Sequence, residues 1–201
     1  MSAYAAVARP PRTLTEKEVN LLLRVTGQHR DGFRDHCLYG LALASGLREH
    51  ELVALNIGDI FNERGRARRH VTLTVFKGSR RHPAPQEGVL SDTVRAKLLR
   101  LKRAQGHDVG PPAPLFLSRK GMRLATRQVC HGFTVWQERA GLERHLNFHC
   151  TRHTACTGAS RRTKDIRLTQ PFARQRSLNS TVIYTHASDD ELVSVTQELP
   201  C

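Results

Sequence analysis

The chain of 201 residues has no apolar run that approaches the roughly 20 residues needed to cross a membrane as a helix. Its N-terminus carries a short apolar patch, but no basic residues precede that patch as they would in a secretory signal. We therefore expect no membrane partner and no signal peptide. Residues 1–13 are expected to form a disordered tail.

Acidic residues are also scarce, since 18 Asp and Glu stand against 32 Lys and Arg, giving a formal net charge of +14. This excess favours a polyanionic partner, with nucleic acid as the first candidate. Most of the basic residues are arginines, whose guanidinium groups can bind phosphate oxygens in a bidentate manner. A basic protein without such a partner is the alternative interpretation.

Cysteines are few and odd in number: there are five, and four fall in segments with helical periodicity. This pattern favours reduced thiols in a cytoplasmic protein over a disulfide framework. One dense His/Cys set could in principle bind zinc, but Arg152 lies in its middle and no second ligand pair has the spacing of a zinc finger. We therefore predict no metal site. The set comprises His149, Cys150, His153 and Cys156.

Hydrophobic periodicity predicts an α+β fold that is mainly helical with a small antiparallel sheet. Gly46 is expected to end the second helix, and 56–69 to form a loop or irregular strand. The alternating segment 70–76 is predicted to be a strand that returns through 82–86 as an edge strand, because Pro83 and Pro85 cannot donate to a ladder. Helices are predicted near 15–27, 32–45, 47–55, 91–101, 126–141, 148–160 and 163–173.

A group of polar residues suggests phosphoryl-transfer chemistry. His149 and Arg152 are three residues apart, so on a helix they share one face, and Tyr184 follows downstream. A tyrosine hydroxyl that faces several cations can attack a phosphodiester while the cations stabilise charge on its oxygens. Upstream, Arg48 follows a glycine at a predicted helix start, and Glu51 is placed to pair with it.

Four segments in this order resemble the motifs of the tyrosine recombinase (phage integrase) family, and the resemblance covers nearly the whole chain. The resemblance implies that 14–187 form a catalytic domain, mostly helical with a small sheet. It also implies cleavage and rejoining of double-stranded DNA through a 3′-phosphotyrosine, without a metal or nucleotide cofactor. The segments are GLREHEL (46–52), FKG (76–78), HCTRHT (149–154) and STVIYTH (180–186).

The resemblance also assigns roles to residues. Tyr184 would be the nucleophile, Arg48 and Arg152 would bind the scissile phosphate, Lys77 would be the general acid and His149 the base. Glu51 would orient Arg48 or His149. Further cations are expected to bind DNA, namely Arg80, Arg81, Arg161, Arg162, Lys164, Arg174 and Arg176.

One position departs from the family pattern: Gln175 stands upstream of the tyrosine where the family has histidine or tryptophan. A glutamine amide can donate a hydrogen bond to a phosphoryl oxygen but cannot carry a proton charge. We therefore expect either reduced activity or that Arg174 or Arg176 takes over the role of the family's histidine or tryptophan. Two alternatives stay open, a catalytically impaired DNA-binding relative and a nicking-closing enzyme resembling the type IB topoisomerases.

Length is the second departure, because the family usually carries an N-terminal core-binding domain, for which the segment before residue 14 is too short. The chain is either a short form similar to the fimbrial phase-variation invertases or part of a longer integrase. The resemblance implies a tetramer on paired DNA sites and a monomer when free, in the cytoplasm and on the nucleoid. The tail 188–201 could dock on a neighbouring protomer or pack on its own.

Overall fold

The computed structural model describes residues 12–76, 84–106, 110–175, 177–185 and 197. Helices dominate these ranges and a two-stranded antiparallel sheet accompanies them, so the predicted fold class is confirmed. The elements in chain order are α1 (Glu16–Gln28), α2 (Phe33–Ser45), α3 (Glu49–Ala54), α4 (Ile57–Ile60), β1 (His70–Leu73), β2 (Gln86–Val89), α5 (Asp92–Gln105), α6 (Thr126–Arg139), α7 (Cys150–Thr163), α8 (Ile166–Ala173) and α9 (Leu178–Val182).

Local capping signals account for several helix starts. The backbone N–H of Thr15 donates to Glu18 Oε2 over 2.7 Å and Glu18 N–H donates to Thr15 Oγ1, which is the predicted capping box of α1. Helix α6 instead begins at Thr126, with the N–H of Ala125 donating to Gln128 Oε1. Helix α8 is capped by Asp165 and starts later than predicted.

The sheet pairs His70 with Val89 and Leu73 with Gln86. The predicted return strand at 82–86 overlaps β2 only at Gln86: residues 84 and 85 precede the strand, and residues 82 and 83 lie outside the described ranges. Prolines at 83 and 85 lack N–H groups and restrict the residues before them, so regular pairing can begin only after Pro85. The predicted loop at 56–69 is also corrected, because α4 lies within it and Phe61 forms an isolated bridge with Ala67.

By their contacts, the described residues divide into two compact units, Arg12–Ala155 and the residues from Cys156 onward. In the first unit, the rings of Tyr39, Phe133 and Phe148 meet with centroids 5.4–6.0 Å apart. All three are almost completely buried. They join helices α2 and α6 to the segment just before α7, and this aromatic cluster is central to the core of the first unit.

The second unit has a much smaller apolar cluster. Cys156, Ala173 and Tyr184 are buried together, and Phe172 and Ile183 pack against them partly exposed. Four of the five cysteines lie in described residues, and all four are free thiols. Nowhere in the described ranges is a helix both long enough and apolar enough to span a bilayer.

Candidate active site

The turn between α2 and α3 presents Arg48. Helix α2 ends at Gly46, whose φ of 61° lies in the left-handed region that glycine adopts without strain. Arg48 then precedes α3, and its backbone N–H and Nη1 donate to the two carboxylate oxygens of Glu51 over 2.9 and 2.8 Å. Glu51 is only 1% exposed. The buried carboxylate thus holds both the backbone and the guanidinium of Arg48, as the sequence spacing predicted for the pair.

The opposite end of α3 is also fixed. Arg123 donates from Nη1 to the carbonyl of Val53 over 2.7 Å and from Nη2 to Asn56 Oδ1 over 2.6 Å. A guanidinium at a helix C-terminus satisfies carbonyls that have no partner inside the helix. A helix of six residues is therefore anchored at both ends.

The motif HCTRHT (149–154) contacts the turn at Gly46, although it lies much later in the sequence. Phe148 belongs to the aromatic cluster, and Thr151 Oγ1 donates to its carbonyl, so the start of α7 is fixed to the core. Arg152 lies one turn into the helix, is 1% exposed, and donates from Nη1 to the carbonyl of Gly46. The two candidate phosphate-binding arginines are thereby joined through a glycine that lies two residues before Arg48.

Two histidines and a carboxylate complete the site in the first unit. His149 Nδ1 lies 3.6 Å from Glu49 Oε2, and the rings of His149 and His153 meet edge to face at 4.8 Å. Interaction of this carboxylate with the imidazole of His149, partly opposed by burial, lowers the pKa of Glu49 to about 2. Burial, with added repulsion from His149 and Arg152, lowers the pKa of His153 to about 4.

In the second unit Tyr184 follows directly on the end of α9. Its ring is 3% exposed within the small apolar cluster, and its N–H donates to the carbonyl of Thr181 over 2.9 Å. Thr181 is itself buried, and its hydroxyl donates to Gln175 Oε1 over 2.8 Å. The residue that departs from the family pattern is therefore connected through one threonine to the backbone of the candidate nucleophile.

The remaining predicted site residues divide by location. Arg161, Arg162 and Lys164 are exposed. Arg174 is half-buried with φ of 50°, and its Nη1 donates to the carbonyl of Phe172. The predicted residues outside the described ranges are Lys77, Arg80, Arg81 and Arg176. In the ranges that are described, no three His, Cys, Asp or Glu side chains are arranged to hold a metal ion.

Glu49 and Thr181 were not singled out from the sequence. Glu49 directly follows Arg48, but nothing in local spacing links it to His149, which is brought close only by the packing of α3 near the start of α7. Thr181 lies in the quoted STVIYTH segment, yet its bond to Gln175 depends on the turn between α8 and α9. Sequence periodicity predicts neither of these two contacts.

Comparison with known proteins identifies relatives of the whole described chain. The profile of the phage integrase family matches residues 12–191. The chain is 32% identical over 180 residues to the tyrosine recombinase XerC of Chlamydia caviae, covering 89% of this chain and 55% of that protein. It is 33% identical over 193 residues to the XerC of Herpetosiphon aurantiacus, covering 93% and 60%. The chain thus spans little more than half the length of these relatives.

Solved structures show the same fold. The crystal structure of XerA recombinase superposes with a TM-score of 0.75 at 23% identity, over 96% of this chain and 66% of that one. The XerH site-specific recombinase bound to palindromic difH substrate, in a post-cleavage complex, gives a TM-score of 0.76 at 21% identity, over 97% and 55%. The predicted tyrosine recombinase catalytic-domain fold is confirmed.

Proposed function

The chain belongs to the phage integrase family, as its four motifs predicted, and we propose that it is a site-specific DNA recombinase. It breaks and rejoins double-stranded DNA through a covalent 3′-phosphotyrosine on Tyr184. The observation that carries this proposal is the bond from Arg152 to the carbonyl of Gly46, which joins the two arginine motifs from distant parts of the chain.

Arg48 and Arg152 bind the two non-bridging oxygens of the scissile phosphate. Charge on these oxygens is stabilised most effectively by groups that are already in place, because reorganising polar groups during phosphoryl transfer would add to the barrier. The fixation of Arg48 by both oxygens of Glu51 supports this role. A guanidinium that is already oriented loses less side-chain entropy when it binds a phosphate.

The reaction is an exchange of one phosphoester bond for another. The phenol oxygen of Tyr184 bonds to phosphorus while the bond from phosphorus to the 5′-oxygen breaks. His149 accepts the phenol proton, which is needed because free tyrosine titrates near pH 10. Lys77 donates a proton to the departing 5′-oxygen. The linkage is conserved, so rejoining requires no nucleotide cofactor.

Gln175 supplies a neutral hydrogen bond where most of the family supplies a histidine or tryptophan. Its Oε1 is occupied by Thr181, which leaves the amide NH2 as the end that donates to a phosphoryl oxygen. The exposed cations Arg161, Arg162 and Lys164, together with Arg80, Arg81, Arg174 and Arg176, bind the DNA backbone. This sequence-independent attraction weakens steeply as the salt concentration rises.

The protein acts on double-stranded DNA in the cytoplasm, as a monomer when free and as a tetramer on paired sites. Relatives described as bound to DNA substrates support the DNA partner. The formal net charge of +14 supports an affinity that rests largely on phosphate contacts. The tail 188–201 lies outside the described residues except for residue 197, and its docking on a neighbouring protomer or its packing on its own protomer stays a prediction.

A covalent trap tests the proposal. Wild-type protein and Tyr184→Phe are incubated with sheared genomic DNA of the source organism and quenched in detergent, and DNA-linked protein is isolated. A DNA adduct in wild type and none in Tyr184→Phe is expected, and sequencing the linked DNA identifies the site. Adducts that persist in Tyr184→Phe would disprove the assignment of the nucleophile.

Gln175 favours a second candidate, a DNA-binding relative with impaired catalysis. If wild type binds DNA but forms no adduct, Gln175→His is tested in the same trap. Rescue by histidine would show that position 175 limits the reaction, whereas continued failure would support a binding protein without turnover. Relaxation of supercoiled plasmid at many unrelated sequences would instead favour a nicking-closing enzyme.

A further inference from the structure

We propose that Glu49 is a positioning residue that keeps Nδ1 of His149 protonated and thereby leaves Nε2 as the proton acceptor. This inference rests on the proposed role of His149 as the base that receives the phenol proton. Neither the sequence motifs nor the related proteins assign a role to this carboxylate. Glu49 is distinct from Glu51, whose two carboxylate oxygens hold Arg48.

The first argument is the position of the Glu49 carboxylate. Oε2 is buried, and within the described part of the chain no hydrogen bond to it has both an acceptable distance and an acceptable angle. His149 Nδ1 lies 3.6 Å from it. A buried carboxylate oxygen without a hydrogen bond is costly, so this oxygen strongly favours a proton on Nδ1. Catalytic hydrogen bonds are often long without substrate and shorten when it binds.

The second argument is that the carboxylate selects a tautomer. A neutral imidazole has one nitrogen that donates and one that accepts. If Nδ1 carried the lone pair, that lone pair would face the negative charge of Glu49. With the proton on Nδ1, attraction replaces repulsion and Nε2 presents its lone pair. When Nε2 accepts the phenol proton, the carboxylate also stabilises the imidazolium that forms.

The third argument concerns the neighbours of the pair. From α3, His50 interacts electrostatically with Glu49, and Cys130 of α6 is also close enough to interact with it. From α7, Arg152 and the ring of His153 lie beside His149. Because burial lowers the pKa of His153 to about 4, that ring stays neutral near pH 7 and does not compete for the charge of Glu49. His149 is thus the histidine that this carboxylate controls.

Nitrogen NMR of labelled protein without DNA tests the inference. The 15N shifts of neutral His149, assigned with His149→Asn, report which nitrogen carries the proton. We expect the Nδ1–H form to dominate in wild type and in Glu49→Asp. In Glu49→Gln and Glu49→Ala, the population should shift toward the Nε2–H form, which is commoner for an unconstrained histidine in water.

A matched control comes from the other described carboxylate near a histidine. Glu87 lies 3.7 Å from His70, but both side chains are more than half exposed. Glu87→Gln should leave the His149 tautomer unchanged. The NMR experiment needs no DNA cleavage, so it can fail or succeed independently of the proposed recombinase activity. An Nε2–H majority in wild type, or no change in Glu49→Gln, would overturn the inference.

Cleavage kinetics provide the second readout. In single-turnover adduct formation, Glu49→Gln should reduce the rate roughly tenfold or more, a part of the 10²–10⁴-fold that a positioned base contributes. Glu49→Asp should recover part of that loss, and Glu87→Gln should match wild type. A rate equal to wild type in Glu49→Gln, measured with an active enzyme, would also contradict the inference.

Discussion

In the unit Arg12–Ala155, hydrogen bonds and ion pairs fix the charged side chains of the candidate site. In the unit from Cys156 onward, Tyr184 packs within a small apolar cluster. Arg48 is held by a buried carboxylate, and Arg152 is bonded to a backbone carbonyl. Tyr184 packs with only Cys156 and Ala173 as fully buried apolar partners among the described residues. The two units thus stabilise their own candidate residues by different means.

This difference matches the different demands of phosphoryl transfer. Groups that stabilise charge are most effective when they need no reorganisation during the reaction. A nucleophile that attacks, remains linked to DNA and leaves again must change its surroundings during the cycle. Segments that move are drawn from the parts of a fold with few buried contacts and low local stability. The small cluster around Tyr184 is consistent with that requirement.

The largest effect is expected from damage to the core of the first unit. Phe133→Ala should lower the free energy of unfolding by about 3–5 kcal/mol, because it removes a buried ring that contacts both Tyr39 and Phe148. Urea unfolding followed by circular dichroism measures the loss. Leu168→Ala, at a side chain that is 57% exposed, is the control and should change stability by less than about 0.5 kcal/mol.

Amide hydrogen exchange directly measures the difference in local stability between the two units. The N–H of Tyr184, which donates to Thr181, should exchange through local opening at a free energy well below that of global unfolding. Amides in the middle of α2, around Leu38 and Leu41, should exchange only near the global value of roughly 5–15 kcal/mol. Equal protection in the two places would remove the proposed difference between the units.

Removing the charge that fixes Arg48 should affect activity more than folding. Glu51→Gln keeps the shape but offers one acceptor oxygen where the carboxylate offers two, so one of the two donors of Arg48 loses its acceptor and the other loses charge assistance. We expect adduct formation to slow by roughly 10- to 100-fold, about 1.4–2.7 kcal/mol, with the fold retained. The measurement is single-turnover cleavage, with exposed Glu87→Gln as the control. A rate within twofold of wild type would show that Arg48 needs no such partner.

A smaller effect is expected at the bond between Thr181 and Gln175. Thr181→Val preserves the shape of the buried side chain but removes the hydroxyl that donates to Gln175 Oε1. Loss of one neutral hydrogen bond should reduce the cleavage rate by roughly 3- to 10-fold, through a less ordered amide. Thr181→Ser should restore most of the rate. Equal rates in the valine and serine variants would contradict a role for this bond.

Whether a structural feature could be predicted from the sequence depends on how far apart the interacting residues lie along the chain. The capping box at Thr15, the turn at Gly46 and the pairing of Arg48 with Glu51 depend on residues at most three apart, and all three were predicted. The return strand was predicted over 82–86, but of its described residues only Gln86 lies in β2, because an alternating pattern does not set strand register without its partner. Neighbouring residues did not reveal where the second strand would pair.

The contacts that join distant segments were beyond sequence patterns. The bond from Arg152 to Gly46 and the approach of His149 to Glu49 span about a hundred residues each and follow from packing around the aromatic cluster. Resemblance to a family indicated that Arg48 and Arg152 belong together and offered Glu51 as the carboxylate that orients Arg48 or His149. In the structure Glu51 binds Arg48, and Glu49 is the carboxylate beside His149. Glu49 was missed because its role depends on which helix packs beside it.

The smallest effect is expected where a surface ion pair ties the beginning of the first unit to its later part. Arg144 donates to both carboxylate oxygens of Glu18 over 2.7 Å, and this interaction lowers the pKa of Glu18 to about 2. A carboxyl with a lowered pKa stabilises the fold above its ordinary pKa of 4.5, and this contribution is lost as pH falls toward 2. Since Arg144 is nearly half exposed, solvent limits the contribution of the ion pair to about 1 kcal/mol or less.

Glu18→Gln should therefore lower the free energy of unfolding slightly at pH 7 and leave it unchanged at pH 2. Urea unfolding at both pH values measures this difference. Glu16→Gln, at an exposed position, is the control and should leave stability unchanged at both pH values. An equal loss at both pH values would mean that the carboxamide disturbs the helix cap at Thr15 and that the ion pair contributes nothing.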